Sequence, residues 1–186
     1  MTKTEKNILD AAVRLFSRYG VKRTSMGDLA QEAGVSRQTL YNAFKNKDDV
    51  LRALIRAYTE EALAEIEAGF DGVQALGDQL DIVFDKMVVA GFDLVATMPN
   101  AQDLIDGFNS AGKEEMGASA EKFRVVIERV LSPHQAALAK AGLTPADLSD
   151  FVQRSAKAAG GAARDKDQLV AHLRTLKHLC LAASGQ

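Results

Sequence analysis

The 186-residue sequence has no tryptophan, one cysteine, three prolines and only 6% aromatic residues. Each scarcity excludes something. Cys180, alone, cannot form an intramolecular disulfide or build a metal site, which fits a reducing cytosol. Its simplest reading is a small buried hydrophobe. Few prolines leave room for long helices, and few β-branched runs beside abundant Ala and Leu favour helix over strand. Long hydrophobic runs are also missing. The most apolar stretch, IVFDKMVVAGFDLVATM, is interrupted by Asp85, Lys86 and Asp93 and cannot span a bilayer. The opening MTKTEKNILDAAVRLF is charged through its first turns, unlike a signal peptide. These points predict a cytoplasmic protein with no membrane partner.

Catalytic signatures are absent too. The sequence holds no nucleophile elbow, phosphate loop or paired-carboxylate motif, and its glycines read as helix caps. His172 and His178 fall on different faces of one helix, and His134 is remote. No metal site, cofactor or enzymatic activity is expected.

What is present is helical period. Hydrophobic residues are 47% and charged residues 26% of the chain, ordinary for a globular protein. Ile8, Ala12, Leu15, Phe16 and Tyr19 form one stripe, stopped by Gly20. Ser25 with Asp28 reads as a capping box, and Gly34 as the residue that closes that helix. Ser36 caps a third helix ending near Phe44. Asn46 caps a fourth, with Asp48 and Asp49 in its first turn, where the helix dipole favours anions. A long helix is predicted over 73–97, a short one after Asn100, and a loose glycine-bearing segment near 107–119. A helix carrying Phe123, Val126, Ile127 and Val130 follows. Thr144, Pro145 and Asp147 start another, and the last runs over 166–183. About nine helices and no strand are expected, an all-α fold.

Charge is unevenly spread. Residues 1–47 hold nine basic and four acidic side chains, net +5, and the remainder is net −7. A basic head on an acidic body is the layout of a nucleic-acid-binding module joined to something that avoids nucleic acid. Within the head, Leu29, Ala30, Ala33, Gly34, Val35 and Leu40 fall in the register of a helix-turn-helix. Ser36, Arg37, Gln38, Thr39, Tyr41 and Asn42 are too many polar groups for a three-helix core to bury. Arg, Gln and Asn suit base edges in a major groove; Ser, Thr, Tyr and Lys suit phosphates.

The stretch ILDAAVRLFSRYGVKRTSMGDLAQEAGVSRQTLYNAFKNKDDVLRAL resembles the TetR family of bacterial transcriptional regulators. The resemblance covers about residues 5–56. It implies an N-terminal helix-turn-helix domain over 1–47 and a C-terminal ligand-binding and dimerisation domain over 48–186, with helix 4 (about 47–68) as connector. Carried over by position, Thr24 or Ser25, Thr39, Tyr41 and Lys47 look like phosphate contacts. Arg37, Gln38 and Asn42 look like base readers, with Ser36 and Lys45 completing the DNA-binding set. Ala43 departs from the family pattern, where a bulkier or polar residue is common.

In the body, Phe84, Met87, Val88, Phe92, Met98, Phe108, Met116 and Phe123 concentrate soft and aromatic side chains suited to a small, largely apolar ligand. Leu148, Val152, Ser155 and Ala159, and then Leu169, Leu173, Leu176 and Cys180, repeat at helical spacing; the family resemblance implies that these last two helices form the homodimer interface. The expected function is sequence-specific transcriptional regulation, as a repressor released from a palindromic double-stranded operator by a small molecule. A helical carrier without specific DNA binding is the alternative, and the basic head argues against it.

Overall fold

The computed structural model describes residues 1–100, 103, 105 and 112–186. Helix α1 (Lys3–Tyr19) opens with a capping box between Thr2 and Glu5 and ends at Gly20, whose φ of 84° is open mainly to glycine. α2 (Met26–Glu32) starts as expected: the Ser25 hydroxyl accepts the Asp28 N–H at 3.1 Å, and the Asp28 carboxylate accepts the Ser25 N–H at 2.8 Å. Its end is a Schellman turn. Gly34 has φ 67°, its N–H reaches the Gln31 carbonyl, and the Val35 N–H reaches that of Ala30. α3 (Arg37–Ala43) follows within three residues. α4 (Lys47–Gly69) is capped by Asn46, whose Oδ1 accepts the Asp49 N–H at 2.9 Å.

These helices close around one core of Ile8, Leu9, Ala12, Phe16, Leu29, Ala30, Leu40, Phe44, Val50 and Leu51. The core lies in a compact unit made of Met1–Thr59 and Val95–Gly117. A second unit comprises Glu60–Leu94 and Ala118–Gln186. In chain order the remaining helices are α5 (Leu76–Phe84), α6 (Ala90–Ala96), α7 (Lys113–Leu131), α8 (Gln135–Lys140), α9 (Pro145–Ala162) and α10 (Lys166–Ala183). The all-α architecture read from periodicity is the one found; among the described residues there is no strand.

Two local expectations are corrected. The helix foreseen over 73–97 begins at Leu76 and contains a π-turn, Asp85–Val89, between α5 and α6. Hydrophobic spacing does not register one extra residue in a turn. The segment expected to be loose is partly helix, since Lys113–Ser119 forms the first turns of α7. Glu114 and Glu115 suit that helix start, and the packing of Phe123 and Ile127 outweighs the cost of Gly117. The rest of that segment, residues 107–111, lies outside the described residues.

At the π-turn, Val88 fits against Gly160 of α9. A Cβ built on Gly160 would stand 2.6 Å from Val88 Cγ1. Gly160→Ala gains up to about 1 kcal/mol of helix propensity but overpacks this contact by about 1–3 kcal/mol. A net loss is expected, read as a lower Tm in thermal unfolding. Two ion pairs at 2.6 Å, Lys177–Asp81 and Lys166–Asp93, set α10 antiparallel to the α5–α6 run. Their partly exposed heads make them markers of register more than sources of stability.

Candidate nucleic-acid interface

α3 has seven residues, and only Leu40 is fully buried, at 0% exposure. That one side chain anchors the helix on the head core. Phe44, in extended conformation just past the helix, adds a second anchor. The Ser36 hydroxyl accepts the Thr39 N–H at 3.0 Å and lies 2.8 Å from the Thr39 hydroxyl, so the helix start is held firmly.

The opposite side is polar and open. Ser36, Arg37, Gln38, Thr39, Asn42 and Lys45 are exposed, and Tyr41 is 51% exposed. Gln38 Nε2 donates to Asn42 Oδ1 at 2.8 Å, which couples two groups suited to base edges. Arg37 leans over the start of α2; a Cβ on Gly27 would come within 3.2 Å of its Nη2. The Asp28 carboxyl is held below its ordinary value of 3.8, first by the Ser25 hydroxyl and N–H, with the Arg37 charge adding to this. Arg37 can therefore exchange this weak local field for the paired acceptors of a guanine.

Three members of the expected DNA-binding set are placed differently. Thr24 is 3% exposed and its hydroxyl donates to the Gly20 carbonyl at 2.8 Å, which removes it from the surface. Ser25 is exposed, but its hydroxyl donates to Asp28 at 2.7 Å. Lys47 is half-buried and spends one proton on the Val21 carbonyl at 2.8 Å, leaving two donors.

Sequence reasoning missed the groups that close the corner between α1 and α2. Asn100 Nδ2 donates to the Arg18 and Ser17 carbonyls at 2.8 and 3.2 Å, and Asn100 Oδ1 accepts from Arg23 at 3.1 Å. The Lys22 N–H donates to Asp103 Oδ2 at 3.0 Å, and Met98 packs on the head core. Gly20 leaves space for Asp103, whose Oδ2 would lie 2.6 Å from a Cβ there. These partners are about 80 residues apart, beyond any local pattern. The Lys22 N–H, then the Lys22 charge, hold the Asp103 carboxyl below its ordinary 3.8. With a lowered folded pKa, Asp103 stabilises the head fully above pH 3.8 and loses that contribution as pH falls below it. Asp103→Asn should flatten this acid limb in pH-dependent unfolding, and Asn100→Ala should cost on the order of 1–3 kcal/mol by leaving the α1 carbonyls uncapped.

The expected ligand set does not come together as one cluster. Phe84, Val88 and Phe123 are buried in the core of the second unit, with Met87 and Phe92 half-buried against it. Met98 and Met116 belong to the first unit, and Phe108 lies outside the described residues.

The residues expected at the dimer face lie mostly on the inward side of their helices. Leu148, Val152, Leu169, Leu173, Leu176 and Cys180 are at most 9% exposed and form part of the core of their own chain. Ser155 is half-buried, and Ala159 packs at the edge of that core. The stripe at helical spacing is the inward one because single-chain packing claims the most continuous apolar face first. Burial also pushes the Cys180 thiol up to about 11, leaving it inert. On the outer sides of α9 and α10 stand Phe151, Leu179 and Val170, 56%, 55% and 37% exposed.

A Schellman turn between two short helices, a single buried leucine in the second and a polar outer face define a helix-turn-helix protein. Residues 8–54 match the family model described as bacterial regulatory proteins, tetR family. Among curated relatives, the transcriptional regulator AcrR of Shigella flexneri is 36% identical over 46% of this chain and 39% of its own length. TtgR of Pseudomonas putida is 35% identical over 47% of this chain and 44% of its own. The chain thus spans well under half the length of these relatives. Over its full length the fold is like that of solved TetR-type proteins. The fatty acid degradation regulator FadR from Bacillus halodurans matches with a TM-score of 0.70 at 18% identity, covering 97% of this chain and 96% of that one. SmeT, the repressor of a Stenotrophomonas maltophilia multidrug efflux pump, matches at 0.65 and 21% identity, covering 96% and 89%, and was also solved with triclosan.

Proposed function

We propose that the protein is a sequence-specific, DNA-binding transcriptional repressor, released from a palindromic operator by a small molecule. The observation that carries this reading is α3: one buried leucine anchors it, and Arg37, Gln38, Tyr41 and Asn42 line its open face. The basic balance of residues 1–47 supports it through attraction to phosphates. Residues 1–47 act as the DNA-binding domain, and 48–186 as the ligand-binding and dimerisation domain, with α4 as connector. The protein works in the cytoplasm, where its operator is.

A helix-turn-helix gains specificity from two half-sites about 34–36 Å apart, so the working form is a homodimer. Its contact is the exposed side of α9 around Phe151 with the flank of α10 that carries Leu179, in place of the buried stripe. A ligand that prefers a dimer with a different recognition-helix separation lowers operator affinity by its differential affinity for the two states. The test is a gel shift with duplexes from the DNA flanking the gene, at moderate salt and against excess bulk DNA. One fragment retained selectively is the expected result. Equal binding of all fragments would leave the carrier reading in its place.

A further inference from the structure

Arg37 opens α3, but the place of its side chain is decided in α2. Its Nη2 and Cζ stand 3.2 and 3.6 Å from where a Cβ on Gly27 would be. Gly27 lies half-buried in the first turn of α2. Its backbone does not call for glycine: unlike Gly20 and Gly34 it has no positive φ, and the cap of the helix is made by Ser25 and Asp28. Glycine is also a poor helix former. What the missing side chain leaves is room for the guanidinium.

The charge beside that space belongs to Asp28. Both of the Ser25 donors, at 2.8 and 2.7 Å, go to Asp28 Oδ2. They do most to hold the carboxyl below its ordinary value, and Arg37 adds to this by charge alone, without a hydrogen bond. Glu32, the other carboxylate of α2, is by contrast closed onto Arg14 at 2.7 Å. α2 thus locks one arginine and only leads the other, whose donors stay available for a new acceptor.

We infer that Gly27 and Asp28 are positioning residues for Arg37, so that two residues outside α3 set the sequence preference at the base pair Arg37 reads. Gly27 supplies the space in which the guanidinium lies, and Asp28 the charge that keeps it there. A long, exposed side chain led in this way meets the groove with less freedom to lose, and it meets one base pair rather than whichever phosphate is nearest. This inference rests on the DNA-binding reading above and adds to it the part of α2 that governs specificity.

The experiment uses the full chain and a library of DNA duplexes with a randomised central segment; selection and sequencing give the preference at each base pair. Arg37→Ala marks the base pair that Arg37 reads as the one whose preference falls about tenfold. Gly27→Leu, which fills the space, should lower the preference at that same base pair by a similar factor and leave the others in place. Gly27→Ala and Asp28→Asn should each lower it about two- to threefold, asparagine keeping an acceptor for Ser25. Leucine and alanine are better helix formers than glycine, so Tm should hold or rise in both Gly27 variants, which separates this role from a structural one. Added to Arg37→Ala, Gly27→Leu should change nothing further. Preferences left intact by Gly27→Leu and Asp28→Asn overturn the inference. So does an Arg37→Ala chain that keeps every preference, a Gly27→Leu loss spread over all base pairs, or one that persists without Arg37, since leucine then only obstructs the DNA. If Gly27→Leu does not fold, Gly27→Ala and Asp28→Asn decide the matter. If the unaltered chain enriches no sequence, the DNA-binding reading fails, and this inference with it.

Discussion

Replacing Leu173 by glutamate is expected to unfold the C-terminal unit, whereas replacing Phe151 by glutamate should leave it folded and convert dimer to monomer. Leu173 is 5% exposed, inside the core shared by α5, α7, α9 and α10. The substitution removes a buried aliphatic side chain and puts an unpaired carboxylate in its place. Together these cost on the order of 5 kcal/mol, comparable to the whole stability of many domains. Phe151 is 56% exposed, so a charge there changes the monomer's stability by only about 0.5 kcal/mol. Across the proposed symmetric interface it would meet its own copy's face, where a desolvated charge is costly. Circular dichroism and analytical ultracentrifugation on both variants separate the cases. A folded, monomeric Leu173→Glu protein would return the interface to the stripe first read from the sequence.

On the DNA side, Gln38→Ala is expected to cost on the order of 1–3 kcal/mol at particular base pairs, and the Gln38→Ala/Asn42→Ala double variant less than the sum of the single losses. The reason is their 2.8 Å hydrogen bond: removing Gln38 also frees Asn42 to turn away. Arg37→Ala belongs to the same class, with its loss concentrated at one guanine. Tyr41→Phe and Lys47→Ala should instead weaken binding to all duplexes alike, and Lys47→Ala should reduce the salt slope by about one unit. Competition binding against operators substituted one base pair at a time distinguishes the patterns. If all variants lose affinity uniformly, the division of α3 into base readers and phosphate anchors is wrong.

The head was largely legible before the structure. Ser25, Gly34, Ser36 and Asn46 took the cap and turn positions their chemistry suggested. Leu29, Ala30 and Leu40 entered the core. Such features depend on groups three to five residues apart, so the sequence alone carries them. Thr24 was misplaced because a hydroxyl beside a helix start looks the same in sequence whether it faces solvent or the Gly20 carbonyl.

By itself, then, the sequence determined helix type, caps, the basic head and the polar face of α3, all of them local consequences of spacing and side-chain chemistry. Only the tertiary structure decided which apolar face each body helix turns inward. It sent Leu173 to the core and left Phe151 outside. It divided the expected ligand residues between two units, and it brought Asn100 and Asp103 onto the α1–α2 corner. Those outcomes depend on contacts between residues tens of positions apart, and helical periodicity marks a face as apolar without naming what covers it.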